Sequence, residues 1–410
     1  MGFNTTLLHA GVDKEGLGAT LPPIYQNTAF EQASAADLEG IFNNRKPGFC
    51  YTRVGNPTIS VFEKRITKIE NGLASVAASS GMAALTNAFL NILTSGDEII
   101  SSASLYGGTI DLFHDFEAFG IKTNLVENNN WEQIEAAFTD RTRLVFAETI
   151  GNPGLDVTDV RKLADIAHAH GVPLIIDNTT STPYLIKVLE HGADIVVNSS
   201  SKYVNGSSNS ISGIITDGGK FKWDFEKFAC LKDYKKYGPM CYIAKLRNGY
   251  YRNSGACLAP FAAYLNCLGL ETLGLRMERH CKNASELASW LEDAYPEAKV
   301  NFPGLKSSPW HKIAEGELNN GYGAILTLRL GSKEQAFKFI DSLDIAYKVS
   351  NIGDSKTLVI HPASTISLHS TDAEKEAAGV YNDLIRVSVG IEDIEDLKAD
   401  FDAAFKAINF

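Results

Sequence analysis

The chain has 410 residues, 44% of them hydrophobic, and a formal net charge of −11. This is enough apolar material for a large core and two or three domains, and the acidic balance argues against nucleic acid or an anionic membrane surface as a partner. The six cysteines (Cys50, Cys230, Cys241, Cys257, Cys267, Cys281) are dispersed without a C-x-x-C pair, no metal site is expected, no stretch is apolar enough to span a bilayer and the start carries no signal-peptide pattern, so a cytoplasmic protein is expected.

Residues 1–60 are poor in regular periodicity, with extended or turn signals at Leu21-Pro22-Pro23-Ile24 and Gly55-Asn56-Pro57-Thr58. Their aromatic content (Tyr25, Phe30, Phe42, Phe49, Tyr51) is too high for a disordered tail, so they read as an arm over a neighbouring subunit.

Residues 61–250 alternate helix and strand. A helix is expected over 83–93, then short apolar strands over 97–101, 144–148, 174–177 and 194–197, with helices over 160–170 and 183–191 that stop at Gly171 and Gly192. Buried strands separated by helices predict an α/β fold with a mostly parallel central sheet. Ligands gather beyond the carboxyl ends of such strands, where Glu148, Asp177 and residues 199–202 fall. Residues 251–410 read as a smaller α+β domain: a long helix over 260–295, strands over 323–328, 358–361 and 384–389, and a last helix from 394.

The chemistry centres on Lys202, which follows Val196-Val197-Asn198-Ser199-Ser200-Ser201, and on Asp177, which closes the strand before it. A lysine amine can hold an aldehyde cofactor as a Schiff base, and an aspartate can keep a pyridinium nitrogen protonated, so the pair suggests pyridoxal phosphate; on their own the two also fit an exposed lysine and a helix-capping Asp after ordinary α/β strands. Ser79-Ser80-Gly81-Met82 opens a helix whose first amides suit a phosphate, or Ser80 is simply its N-cap. Ser199 and Ser201 can add hydroxyl donors, and Tyr106 stands at the same sheet edge, either as a stacking ring or as a core tyrosine. Tyr51 and Arg53 offer a phenol and a guanidinium suited to phosphate, or a surface ion pair. Arg386 sits in an apolar strand and needs a partner: a substrate carboxylate or an internal Asp or Glu.

In type, order and spacing these motifs resemble the Cys/Met-metabolism family of pyridoxal-phosphate enzymes, of the fold-type I aminotransferase-like superfamily. The likeness runs from Leu8-His9-Ala10-Gly11 to Ile385-Arg386-Val387-Ser388-Val389-Gly390. It implies that Lys202 carries the Schiff base, that Asp177 pairs with the pyridine nitrogen, and that Gly81, Met82, Ser199 and Ser201 bind the phosphate. Tyr106 would stack on the ring, Tyr51 and Arg53 would be donated by an adjacent subunit of a homotetramer (a dimer of dimers), and Arg386, Ser350 and Asn152 would hold the amino-acid carboxylate. Lys202, with Tyr106 or Tyr51, would move protons. Residues 148–157, 217–221, 269–273, 275–280 and 351–365 look most like the O-acetylhomoserine sulfhydrylase branch, which joins sulfide or a thiol to O-acetyl-L-homoserine to give homocysteine or methionine. A methionine γ-lyase usually has cysteine where Gly108 stands, and cystathionine enzymes usually lack the Gly218-Gly219-Lys220-Phe221 stretch; γ-elimination or a cystathionine γ-synthase-like replacement is the alternative implied. Asn198, Thr180 and residues 205–213 depart from the family's usual histidine, aromatic and glycine-rich segments, which leaves room for a changed acceptor.

Overall fold

The computed structural model describes residues 1–11 and 18–410. Among them, seven strands form one sheet: β1 (Ala74–Ala78), β2 (Glu98–Ser102), β3 (Lys122–Val126), β4 (Thr142–Glu148), β5 (Leu174–Asp177), β6 (Ile195–Asn198) and β7 (Gly213–Asp217), in the order β1-β7-β6-β5-β4-β2-β3. β7 alone runs against the others; the pairs β6–β5, β5–β4, β4–β2 and β2–β3 are parallel. A second, antiparallel sheet has β8 (Ile325–Arg329), β10 (Leu384–Ser388) and β9 (Leu358–Ile360) in that order. The α/β architecture with a mostly parallel sheet and a smaller one is the expected fold class.

The central strands alternate between two cores because successive side chains leave opposite faces. Leu144, Phe146, Ile175, Ile195 and Val197 pack on one side, and Val145, Ala147, Leu174, Ile176 and Val196 on the other. On the first side Phe89 meets Phe113, Phe116 and Phe146 with ring centroids 5.1–6.2 Å apart, a tilted and edge-on cluster that stabilises beyond its buried area.

Several elements differ from expectation. Residues 1–60 contain helices Phe3–His9 and Ala35–Phe42, and helix Pro57–Glu70, opened by the Asn56 cap, crosses the expected boundary near 60. The helix expected over 183–191 is a short turn, Thr182–Leu185, and a 3-10 segment, Val188–Glu190, because buried Ile186 is extended between them. The helix expected over 260–295 is two, Pro260–Glu271 and Leu273–Ala294, broken at Thr272. Gly269 explains this close packing: a Cβ there would stand 2.3 Å from the carbonyl oxygen of Asn205, so only glycine lets the helix abut the loop after Lys202. Arg276 ties the same loop down, donating to Tyr203 O at 2.6 Å and Gly269 O at 2.7 Å.

Candidate active site

The parallel register fixes the heart of the site. Glu148 is opposite Asp177 across β4 and β5, and Asp177 is opposite Val197 across β5 and β6. The strands therefore deliver Glu148, Asp177 and the segment from Ser199 to one edge, above which lies a cavity of about 580 Å³. Gly81, Met82, Tyr106, Asn152, Asp177, Ser199, Ser201, Lys202, Ser350 and Arg386 all line it, ten residues far apart in the chain.

Lys202 Nζ donates to Asn351 Oδ1 at 2.6 Å. Burial pushes its amine down to about 8, helped by the Arg386 charge and opposed by Asp177. Burial raises Asp177 to about 6, against the Thr179 N–H, which donates to its Oδ1 at 2.9 Å, and against the Lys202 charge. Glu148 is held well above the ordinary carboxyl range, by burial first and by Asp177 second. Two facing carboxyls in low dielectric cannot both ionise cheaply, so Glu148 holds a proton more readily than Asp177 does. Glu148 Oε1 accepts from Tyr106 N at 2.7 Å and so fixes the backbone that carries the ring.

Arg386, 3% exposed on the central strand of the small sheet, donates to Asn152 Oδ1 and to Asn351 O, both at 2.9 Å. Its Nε has no partner among the described residues. Burial lowers it to about 10, so it remains charged at neutral pH. Of the two partners open from sequence, no internal carboxylate pairs with it among the described residues, which leaves the charge to an anion in the cavity.

A phosphorylated pyridine aldehyde fits these donors. Ser80 Oγ accepts from Ala83 N at 3.0 Å and caps helix Gly81–Leu90, leaving the Gly81 and Met82 amides without helical acceptors. A Cβ on Gly81 would stand 2.6 Å from the Ser199 Cβ, so the bare backbone is what brings the helix start to the strand end. Ser199 N is held by Thr179 Oγ1 at 2.7 Å. Ser201 differs: its hydroxyl donates to Ser212 O at 3.0 Å and accepts from Ser212 N at 2.8 Å, so it must turn before it can donate to a phosphate. Tyr51 and Arg53 are not brought to this cavity. Both are exposed, the guanidinium 5.4 Å from the Tyr51 ring centre and donating to Arg252 O at 2.6 Å.

The sequence sets Glu148 at a strand end but gives no role to it, to Thr179, or to Asn351 and Ser208 within the stretches 351–365 and 205–213. Asn351 Nδ2 donates to Ser208 Oγ at 3.0 Å, and that hydroxyl bonds Asp354, so the unusual loop after Lys202 is wired to the lysine through Asn351. Polar residues in irregular loops carry no periodicity; the available signals are that Asn351 adjoins Ser350 and that Ser208 lies in the atypical segment 205–213.

The sequence signature of the Cys/Met metabolism PLP-dependent enzymes matches residues 4–406. The homocysteine/cysteine synthase of Saccharomyces cerevisiae is 40% identical over 99% of this chain and 98% of its own. The O-acetyl-L-homoserine sulfhydrylase of Corynebacterium glutamicum is 41% identical over 99% and 97%. A solved structure of a putative O-acetylhomoserine (thiol)-lyase from Campylobacter jejuni, which carries N'-pyridoxyl-lysine-5'-monophosphate, superimposes with a TM-score of 0.94 at 31% identity, covering all of both chains. With its lysine and aspartate at adjoining strand ends and this likeness along its whole length, the chain belongs to the Cys/Met metabolism family of pyridoxal-phosphate-dependent enzymes.

Proposed function

We propose that the chain replaces the γ-acetoxy group of O-acetyl-L-homoserine with sulfide, giving homocysteine and acetate. The observation that carries this reading within the family is Gly108. A Cβ at this position would lie 2.6 Å from the Tyr106 ring, so a side chain there would force the ring to turn. The site is thus built without the cysteine that a γ-lyase would be expected to place beside Tyr106. Homocysteine synthases and O-acetylhomoserine sulfhydrylases at about 40% identity support the same branch. When bound, pyridoxal phosphate supplies the electron sink that makes the Cα and Cβ hydrogens of an amino acid acidic.

The chain's own groups do the rest. Lys202 would anchor the aldehyde and, once freed, take the Cα proton; an amine near 8 is partly neutral at working pH, as a general base needs to be. Asp177, ionised above about 6, would hold a proton on the pyridine nitrogen. Gly81, Met82, Ser199 and Ser201 would hold the phosphate, and Tyr106 would cover the ring. Arg386, oriented by Asn152, would take the substrate carboxylate beside Ser350. Methionine alone should give 2-oxobutyrate more slowly than O-acetylhomoserine with sulfide gives homocysteine; the reverse order would move the chain to the lyases.

Tyr51 and Arg53 would complete the site of a partner subunit in a cytoplasmic dimer of dimers. Their exposure on a single chain, away from its own cavity, supports this. Mixing inactive Lys202→Ala chains with inactive Arg53→Ala chains should restore up to about a quarter of the wild-type activity per site, because random mixing makes half the dimers hybrid and a hybrid holds one intact site of two. A fully active monomer, or no recovery in verified hybrids, would count against the shared site.

A further inference from the structure

Helix Pro57–Glu70 packs on β1 and β7, and its last side chain reaches the end of β6, where two polar groups meet inside the core. Glu70 is 0% and Asn198 1% exposed. Asn198 Nδ2 donates to Glu70 Oε1 at 3.0 Å. The remaining oxygen of each, Glu70 Oε2 and Asn198 Oδ1, has no hydrogen-bond partner among the described residues. An ionised Glu70 would leave both acceptors buried and unsatisfied, and turning the Asn198 amide would only set its oxygen against Oε1. A proton on Oε2 would remove the charge and supply the one donor the pair lacks.

We propose that Glu70 is a positioning residue: held as the neutral acid, it donates from Oε2 to Asn198 Oδ1 and closes a two-bond acid–amide pair that fixes the end of β6 ahead of Ser199 and Lys202. Asn198 is the last residue of β6, and the next N–H, that of Ser199, is already held by Thr179. The pair therefore anchors from behind the same backbone that presents Ser199 and Lys202 to the cavity. Burial raises Glu70 to about 8, against the Asn198 hydrogen bond, the Lys187 charge and the nearby Asn178 amide, whose Nδ2 makes its hydrogen bond to Ile186 O at 3.0 Å instead. Lys187 is the one cation acting on it. Of the other ionisable groups on the elements packed around it, Glu271 pairs with Arg65, Glu63 with Arg247, and Glu190 bonds Asn71; Asp217 lies three register steps along β7, Asp177 is at the cavity edge, and His9 and Tyr264 are on the neighbouring helices. The inference rests on the cofactor site and holds whichever γ-reaction the chain performs.

Glu70→Gln tests it, because the amide keeps both hydrogen bonds and has no proton to lose. An acid raised in the folded chain keeps a proton that the unfolded chain loses above its ordinary pKa, so its contribution to stability falls as pH rises and levels off near 8. At one fixed chain concentration, the wild-type folding constant should therefore fall tenfold more per pH unit than that of E70Q between pH 5.5 and 7.5. The dissociation constants for pyridoxal phosphate, read by tryptophan fluorescence, should match at pH 7, and at pH 9 wild type should bind several-fold more weakly than E70Q. Equal pH slopes would show Glu70 ionised in the native chain and overturn the proposal. Different slopes with an unchanged affinity ratio would leave a structural pair and remove the positioning role. An E70Q chain that does not fold also contradicts it, because the neutral amide reproduces the pair described.

Discussion

Lys202→Ala is expected to fold, to lose the visible absorbance of the lysine-bound cofactor and to lose turnover by at least about 10⁴-fold. The upper end of what a proton-transfer side chain contributes is roughly 10⁴-fold, and the same amine would also be the covalent anchor. The fold should survive because the side chain makes one hydrogen bond, to Asn351, at the wall of a cavity and supports no strand. In the wild type, turnover should climb from pH 6 to about 8.5, as Asp177 ionises near 6 and Lys202 sheds its proton near 8. A Lys202→Ala chain with wild-type turnover would mean that another lysine is the anchor.

Asp177→Asn is expected to cost on the order of 10²–10³-fold in kcat/KM, the usual effect of removing one preorganised electrostatic partner. The amide oxygen can still accept from Thr179 N, so geometry is kept and the charge alone is removed. Stability should move the other way. The folded pKa of Asp177 is raised, so the wild-type carboxyl contributes fully at low pH and loses that contribution as pH rises through about 6. Asn at this position avoids that loss and relieves Glu148 of its charged neighbour, so the variant should be at least as stable as wild type at pH 7.5. Loss of activity together with loss of the fold would point to a structural role for Asp177, and unchanged kcat/KM would remove it from the site.

Much of this was legible because a parallel sheet writes its central strands as apolar runs and ends them at the ligand edge. Asp177 and Lys202 each close or follow such a run, and the structure sets them at the same cavity. β1 and β7 were not read as strands: Ala74-Ser75-Val76-Ala77-Ala78 is too small-sided to stand out, and Gly213-Ile214-Ile215-Thr216-Asp217 follows a serine-rich loop that masks it. β3 sits at the sheet edge and carries polar residues in Lys122-Thr123-Asn124. The Asn198 departure was visible in sequence, but its partner Glu70 lies 128 positions away, and only the packing of helix Pro57–Glu70 against the sheet brings them together. Tertiary contact of this kind has no local signature.

The central claim is a γ-replacement that needs a sulfur nucleophile, and product accounting tests it most directly. O-acetyl-L-homoserine should be supplied with and without sulfide while acetate, homocysteine, 2-oxobutyrate and ammonia are all measured. With sulfide, acetate and homocysteine should appear in equal amounts with little 2-oxobutyrate, and without it acetate release should fall sharply. Acetate release that is indifferent to sulfide and matched by 2-oxobutyrate and ammonia would contradict the account and make the chain an eliminating enzyme.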